Sequence, residues 1–556
     1  MSPSTPRAGA RWPAWLTAAA LIWVVGYPLL LTLLEGLGIS PSSEGFTLEH
    51  LRDFATRPDE WLALWRSLWI SLASVALAGM VGVPLAFIFE RTDFPGRRVL
   101  GALMALPVAL PPLVGVIAFL FLYGESGFLA RGLQMLFDLE RSPWRLGGPG
   151  AILLVHTYSM YVYFYLFARA ALSRLDGSML EAAAALGAGR WRTLVRVVLP
   201  QLRPALLGAG LLTFMTSLGS FSAPYIFGGG YRVMTTQIVA SKVSGEVALA
   251  QIEAVVLAAL ALVALWAIRR LQGEEAVASA HGVAPERRTI ASPLARWGFA
   301  ALGWGLAIFM LLPHLTLVLI SFVPMGTWTT ELLPPELGTV NYRELFSQPE
   351  RLRPMVNSLW MAAAATAGAV ALGLLAARQS LRAGGRLGGA LEGLIALPWA
   401  IPGTVFAIAL GTAFSVDAPH LLRFVWVGTP IILPLAYLVR CLPITGRSAL
   451  AGLRQLDPAL EEASASLGAG GLRTFWRVVL PVVRPALVAG VGLAFITALG
   501  DFVTSVVLYT FTTRPISIEI FSALRVQEFG VAAAYGVLLM LLSAAAFLAW
   551  GRGDAR

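Results

Sequence analysis

The chain has 556 residues, 57% of them hydrophobic and only 13% charged, and its formal net charge is +10. This composition excludes a soluble globular protein, which needs more charge to cover its surface, and the arginines between apolar stretches indicate membrane topology rather than nucleic-acid binding. The single cysteine, Cys441, excludes an intrachain disulfide, and neither it nor the five scattered histidines form a predicted metal site.

Twelve apolar stretches are each long enough to cross a hydrocarbon core of about 30 Å. They predict an all-α polytopic membrane protein with about twelve transmembrane helices in two parallel six-helix repeats. The predicted spans are 14–34, 65–89, 99–122, 151–168, 203–227 and 247–268 in the first half, and 297–323, 357–377, 391–414, 425–442, 484–509 and 530–550 in the second. The first span has no cleavage site before Glu35, so we expect it to remain as a helix. With both termini cytoplasmic, most basic residues fall in cytoplasmic loops, as the positive-inside rule requires.

Two segments of the chain repeat each other. The segment from Leu175 reads LDGSMLEAAAALGAGRWRTLVRVVLPQLRPAL, and the segment from Leu456 reads LDPALEEASASLGAGGLRTFWRVVLPVVRPAL. Their offset is 281 residues, the difference between Glu181 and Glu462. Six predicted spans separate the copies, so both face the same side of the membrane. Parallel repeats imply a pseudo-two-fold axis along the membrane normal, with a pathway between the halves.

The repeat predicts the domain organisation. The first repeat covers 1–268 and contains the repeated segment 175–203. A cytoplasmic linker, 269–296, has no long apolar run. The second repeat covers 297–556 and contains the repeated segment 456–484.

Each repeated segment is predicted to form a short amphipathic helix, a glycine turn, a basic stretch and a proline that opens the next span. Ser178 and Glu181 have the spacing of a capping box in the first copy, and Asp457 is a candidate N-cap in the second. The glycines expected to turn the chain at positive φ are Gly187, Gly189, Gly468 and Gly470.

The repeated segment resembles the EAA loop of binding-protein-dependent, MetI-like ABC importer permeases. The matching positions are Glu181, Ala182, Ala183, Gly187, Val197, Leu199 and Pro200 in the first copy, and Glu462, Ala463, Gly468, Val478, Leu480 and Pro481 in the second. Ser464 replaces the second alanine of the motif. The resemblance covers almost the whole chain and implies a type I importer permease fold with one permease domain in each half.

In similar importers this loop is a coupling helix that docks on a cytoplasmic ATPase, whose ATP-driven closure rocks the permease between inward- and outward-facing states. The implied partners are two copies of that ATPase and an external substrate-binding protein, and the implied location is the bacterial inner membrane. The implied coupling residues are Glu181, Ala182, Ala183, Gly187, Gly189, Glu462, Ala463, Gly468 and Gly470. The only lysine, Lys242, lies in no Walker A loop. We therefore expect a non-catalytic subunit without a cofactor of its own, and ATP and magnesium on the ATPase.

Candidate pathway residues are fewer and less specific. Asp501 lies within the eleventh predicted span, where a carboxylate could guide a cation or make a structural hydrogen bond to a neighbouring helix; its counterpart is Ser220. Prolines break two equivalent spans, and broken helices commonly line a pathway, although kinks without a pathway role are an alternative. These prolines are Pro107, Pro111, Pro398 and Pro402. For His156, His314 and the tyrosines between Tyr158 and Tyr165, core packing is favoured over metal ligation.

The fused form of the chain most closely resembles ferric-iron permeases, so ferric iron delivered by an external binding protein is the expected cargo. Thiamine and 2-aminoethylphosphonate are the alternative cargoes. A secondary transporter driven by protons or sodium, with Asp501 as the coupling carboxylate, is an alternative from another class, but it leaves the paired loops unexplained. A membrane-embedded enzyme is disfavoured, because no catalytic constellation has suitable spacing.

Overall fold

The computed structural model describes residues 12–39, 47–105, 107, 111–272, 288–289, 292–327, 331–415 and 424–551. These residues are almost all helical, and the strands among them are two-residue segments, Thr92–Asp93 and Arg288–Thr289, paired in parallel. Most of the predicted linker 269–296 lies outside the described residues. The chain divides into two compact units, which take segments from both halves of the sequence.

One compact unit is drawn from residues 61–236 and 259–337. Its helices include Pro58–Arg91, which begins just before the unit, and Pro293–Ser321 from the second half of the sequence. The others are Arg97–Leu103, Pro112–Tyr123, Phe128–Phe137, Gly148–Leu172, Gly177–Ala185, Arg190–Thr193, the π-helix Leu194–Val198, Leu199–Leu218 and Ser222–Phe227. Its core contains the fully buried side chains of Phe89, Tyr161 and Tyr165.

The other compact unit is drawn from residues 1–60, 237–258 and 338–556. Its helices from the first half are Trp12–Leu21, the π-helix Ile22–Gly26, Tyr27–Gly36 and Glu49–Thr56. Those from the second half are Val340–Ser347, Pro349–Ala383, Gly385–Ala400, Gly403–Ala413, Ile432–Arg454, Pro458–Ser466, Gly471–Thr474, the π-helix Phe475–Val479, Leu480–Leu499, Val503–Leu508, Ile516–Arg525 and Phe529–Gly551. Two further helices, Met234–Val243 and Val247–Gln272, contribute residues to both units.

Local sequence explains where many of these helices begin. Proline occupies the first turn of the helices that start at Pro112, Pro293 and Pro349. Its missing N–H costs nothing there, because the first amides of a helix have no partner within the helix. The hydroxyl of Ser292 also accepts a hydrogen bond from the Ala295 amide and so caps the helix Pro293–Ser321.

The same close helix crossing occurs once in each unit. A Cβ atom added at Gly373 would lie 2.9 Å from the backbone nitrogen of Gly446, so the helices Pro349–Ala383 and Ile432–Arg454 touch through their backbones. Gly82, the counterpart of Gly373, would meet the backbone of Tyr161 and Tyr165 in the same way. Small residues permit such approaches between membrane helices, where van der Waals packing drives association.

Ten helices in the described residues are long and apolar enough to cross a membrane, or eleven if one bent pair is counted as a span. The bent pair, Gly385–Ala400 and Gly403–Ala413, turns by 110° at the predicted break. The prediction was about twelve spans. The remaining predicted span, 425–442, corresponds to the helix Ile432–Arg454, which is not among the ten because its arginines lower its mean hydropathy.

Candidate functional site

Each repeated segment, called here the first loop (175–203) and the second loop (456–484), starts with a nine-residue helix capped by aspartate. Asp176 accepts a hydrogen bond from the Ser178 amide at 3.0 Å, and Asp457 accepts one from the Ala459 amide at 2.9 Å. An aspartate at the N-cap satisfies one of the first free amides of a helix. The predicted capping box at Ser178 was therefore wrong, because Asp176 takes the N-cap and Ser178 lies inside the helix.

Both loop helices end in the same glycine turn. Gly187 has φ +72° and Gly468 has φ +75°. In the first loop the Gly187 amide bonds to the Ala184 carbonyl and the Ala188 amide to the Ala183 carbonyl, both at 2.9 Å. The second loop repeats these two bonds. This is a Schellman motif, in which a residue without Cβ occupies the left-handed region at little cost.

The second glycine of each pair has a different role. Gly189 has φ −65° and Gly470 has φ −67°, and each is the N-cap of the four-residue helix that follows. The expectation of positive φ is therefore confirmed at the first glycine of each pair and wrong at the second. The chain turns at one residue per loop, and the next helix starts three residues later.

Each loop joins its membrane helix through a π-helical turn, Leu194–Val198 in the first loop and Phe475–Val479 in the second. Pro200 and Pro481 follow within two residues of these turns. Because proline has no N–H, the carbonyl one turn earlier lacks its usual partner, and a widened turn is a common response. The repeated Leu-Pro sequence therefore coincides with a repeated irregularity of the helix.

The implied coupling residues lie on the exposed parts of the loops. The side chains of Glu181 and Ala182 are exposed in the first loop, as are those of Glu462 and Ala463 in the second. Ala183 is the exception, since it is buried. Ser464, the departure from the motif, lies 2.9 Å from the hydroxyl of Thr474 and so links the loop helix to the helix after the turn.

Sequence reasoning missed a set of exposed apolar side chains that recur at equivalent positions. Leu186 and Leu467 are each 88% exposed, directly before the glycine turn. The further pairs are Met179 with Leu460, Trp191 with Leu472, and Val195 with Trp476, all of them exposed. Leucine directly before the turn glycine in both copies of the repeat was the available signal. Large apolar residues repeated on two exposed loops mark an interaction surface.

Both loops pack apolar side chains against a hydrophobic core of their unit, Leu194 in the first loop and its counterpart Phe475 in the second, and the second loop adds ion pairs. In the first loop, Leu180 and Leu194 pack against the hydrophobic core of their unit. In the second loop, Glu461 stands at the position of Leu180 and forms ion pairs with Arg382 at 3.0 Å and Arg378 at 3.6 Å. The Arg378 guanidinium also lies 4.9 Å from the ring centre of Phe475. Neither arginine was identified from the sequence.

Asp501 is buried and well supplied with partners. Its carboxylate lies 3.0 Å from Nε of Arg440 and accepts hydrogen bonds from the Thr504 amide at 2.9 Å and the Thr504 hydroxyl. These contacts start the short helix Val503–Leu508. Ser220 instead lies 2.9 Å from Nε2 of His156, whose Nδ1 faces Ser74 and Ser217. The structure thus places an ion pair and a neutral polar cluster at equivalent positions.

The candidate pathway prolines lie at or near helix ends. Pro111 caps the helix Pro112–Tyr123, and Pro402 caps the helix Gly403–Ala413. Pro398 lies inside the helix Gly385–Ala400. Pro107 lies between the helices Arg97–Leu103 and Pro112–Tyr123. The tyrosines and His314 pack in the core as predicted, with the Tyr161 hydroxyl donating to the Met104 carbonyl and the Tyr158 hydroxyl beside His314.

The fold and the paired loops define a multi-span permease subunit of an ABC importer, and comparison with known proteins supports this class. The family model described as "Binding-protein-dependent transport system inner membrane component" matches residues 78–273 and 369–552, once in each half. The chain belongs to this family, with two permease domains fused in one polypeptide.

Three relatives illustrate the range of the family. The probable ABC transporter permease protein y4fN of Sinorhizobium fredii (strain NBRC 101917 / NGR234) is 30% identical over 96% of this chain and 95% of its own length. The ferric transport system permease protein FbpB of Actinobacillus pleuropneumoniae is 30% identical over 87% of this chain and 71% of its own. The molybdenum transport system permease protein ModB of Escherichia coli (strain K12) is 34% identical over 30% of this chain and 72% of its own.

Proposed function

We propose that the two loops dock on two copies of a cytoplasmic ATPase, and that this contact couples ATP hydrolysis to import. The observation that carries the proposal is the pair of leucines, Leu186 and Leu467, each 88% exposed at the same position of the same turn. Apolar side chains at the centre of an interface commonly contribute most of its binding energy. Two equivalent surfaces in one chain suit two identical partner subunits.

The roles of this chain and of its partner proteins follow from this docking. ATP and magnesium are bound by the ATPase, and this chain, whose two repeats supply the translocation pathway, binds no cofactor of its own. The loops and both termini face the cytoplasm, and an external substrate-binding protein delivers the cargo from the other side.

The cargo we propose is ferric iron. Support comes from the ferric transport permease FbpB, which aligns with 87% of this chain across both halves. The molybdenum permease ModB aligns with only 30% of it. The external binding protein supplies the iron site, and the permease passes the released ion.

Substitution of the two exposed leucines tests the docking. We expect Leu186→Asp and Leu467→Asp each to weaken ATPase binding at least about tenfold, and the double variant to abolish co-purification of the ATPase. Val243→Asp is the matched control, because Val243 is 82% exposed but lies outside both loops. Co-purification of the ATPase with the double variant at the wild-type level would show that docking occurs elsewhere.

Reconstitution tests the cargo separately. The chain and its ATPase are placed in liposomes with the external binding protein loaded in turn with ferric iron, thiamine or 2-aminoethylphosphonate. We expect only the ferric form to stimulate ATP hydrolysis. Stimulation by another loaded form would show that the cargo is not ferric iron but would leave the proposed mechanism intact. Uptake that needs no ATPase and follows a proton gradient would refute the mechanism.

A further inference from the structure

An apolar groove of about 630 Å³ lies along the membrane helix that follows the first loop. Residues from Leu199 to Phe214 on the helix Leu199–Leu218 line it, together with Leu72 and Phe164 from neighbouring helices of the same unit. Among the described residues that line it, Arg203 is the only charged one; the others are apolar residues, proline and glycine. The groove is open at its side, since Leu72 is 55% exposed.

Basic groups gather at one end of this groove. Arg203 lies four residues into the helix Leu199–Leu218, and its side chain is exposed. Ile268 also lines the groove and directly precedes Arg269 and Arg270, both exposed. Arg270 lies 5.2 Å from the ring centre of Trp266, which is itself 60% exposed. Arginine beside exposed tryptophan is typical of the level of the lipid headgroups.

The dimensions and charge of the groove indicate which kind of molecule it binds. From Leu199 to Phe214 the helix rises about 22 Å, which exceeds the roughly 15 Å depth of one leaflet of the hydrocarbon core. A fatty acyl chain therefore fits along the apolar length. The arginines favour a negatively charged headgroup, because basic residues at the membrane surface attract anionic lipids.

We propose that this groove binds one anionic phospholipid of the cytoplasmic leaflet, with an acyl chain between Leu206 and Phe214 and its phosphate at Arg203. The assignment to that leaflet rests on the proposed cytoplasmic position of the first loop. Such a lipid would contact both the π-turn of the first loop and the membrane helix after it, through Val195 and Leu199. The bound anionic lipid is therefore a structural ligand beside the first loop.

The second repeat provides a matched control. Arg484 is the counterpart of Arg203 and is also exposed, but Val491 stands at the position of Gly210. At Gly210 an added Cβ would already lie 3.7 Å from Val75 and 3.8 Å from Phe164, so a larger side chain there would fill the groove. Arg484→Glu therefore makes the same charge change on a helix with valine at the position of Gly210, and Gly210→Leu changes the groove without the charge.

Native mass spectrometry of the full-length chain in detergent, titrated with phosphatidylglycerol or phosphatidylcholine, tests the proposal. We expect one phosphatidylglycerol to bind more tightly than phosphatidylcholine. Arg203→Glu should weaken phosphatidylglycerol binding about tenfold and leave phosphatidylcholine unchanged. Gly210→Leu should weaken both lipids, and Arg484→Glu neither.

Two results would overturn the proposal. One is equal phosphatidylglycerol binding by the wild type and by Arg203→Glu. The other is an equal loss in Arg484→Glu, which would show a general effect of charge. A phosphatidylglycerol with a photoreactive acyl chain gives an independent readout. Cross-links within 206–214 or at Leu72 or Phe164 would support the site, and cross-links confined to residues that do not line the groove would refute it.

Discussion

The two loops have the same outward geometry but different supports beneath it. The aspartate cap, the positive-φ glycine and the exposed leucine recur in both. Beneath them, both loops pack on an apolar core, but at one equivalent position the first loop has the apolar contact of Leu180 and the second has the ion pairs of Glu461. The geometry of the outward face therefore depends on short-range hydrogen bonds, and it is the same whether the contact at this position is apolar or ionic.

The same contrast occurs after the membrane helix that follows each loop. The first repeat has a neutral cluster of Ser220 and His156, and the second has the ion pair of Asp501 and Arg440. In both places the charged version belongs to the second repeat. The two repeats should therefore respond differently to neutralising substitutions and to salt, although their outward faces match.

The largest expected effect is on the ion pair of Asp501. Asp501→Ala leaves Arg440 without its carboxylate, and Arg440 is partly exposed, so we expect a loss of about 2–3 kcal/mol in the free energy of unfolding. Ser220→Ala should cost about 1 kcal/mol, because it removes one neutral hydrogen bond. Denaturant unfolding in detergent measures both.

A double variant is the control for this comparison. Asp501→Ser combined with Arg440→Ser introduces serine at both positions, as in the first repeat, where Ser220 and Ser159 are the counterparts. We expect it to recover part of the loss, since no buried charge remains unpaired. Equal losses in Asp501→Ala and Ser220→Ala would contradict the assigned difference between the two sites.

The next largest effect, on ATPase binding, should be equal in the two loops. Gly187→Val and Gly468→Val force a β-branched residue into the left-handed region, at a cost of about 1–3 kcal/mol. We expect each to weaken ATPase binding by roughly tenfold or more, measured by co-purification or titration. Gly189→Ala and Gly470→Ala are the controls: the motif implies these glycines in coupling as well, but their φ values are negative, so alanine adopts their conformation without strain. A loss in the controls as large as in the valine variants would show that φ is not the cause.

A smaller effect should distinguish the loops. Glu461→Gln removes partly exposed ion pairs, so we expect a loss of about 0.5–1 kcal/mol, seen as two- to fivefold faster amide exchange in 456–484. High salt should do the same to the wild type and leave 175–203 unchanged, because its support is apolar. Equal salt sensitivity of both loops would contradict the assigned difference between the contacts of Leu180 and those of Glu461.

The smallest effect concerns Ser464. Ser464→Ala removes the 2.9 Å contact with Thr474 and restores the alanine of the first loop, so we expect a loss of at most about 0.5–1 kcal/mol. The change should appear as a slight fall in the unfolding temperature with no change in ATPase affinity. A clear loss of ATPase binding would instead assign Ser464 to the docking surface.

Much of each loop could be predicted from the sequence because its interactions are short-range. The turn at Gly187 depends on hydrogen bonds between residues at most five apart, so the local sequence predicted it. Glycine by itself was not sufficient evidence, because Gly189 has a negative φ. The capping prediction failed for the same local reason, since Asp176 and Ser178 compete for one helix start and the sequence does not rank them. The exposure of Leu186 was missed because an apolar residue in isolation predicts burial rather than an interface.

The apolar helices, the repeat, the loops and the family follow from the amino-acid sequence, since helix length, hydropathy and turn chemistry are properties of neighbouring residues. Which distant groups meet became known only from the three-dimensional fold. Arg382 and Glu461 are 79 residues apart, and nothing in either segment identifies the other as its partner. The groove beside Gly210 likewise exists only where several helices leave space between them. Such contacts depend on packing between segments, and local sequence carries no information on that geometry.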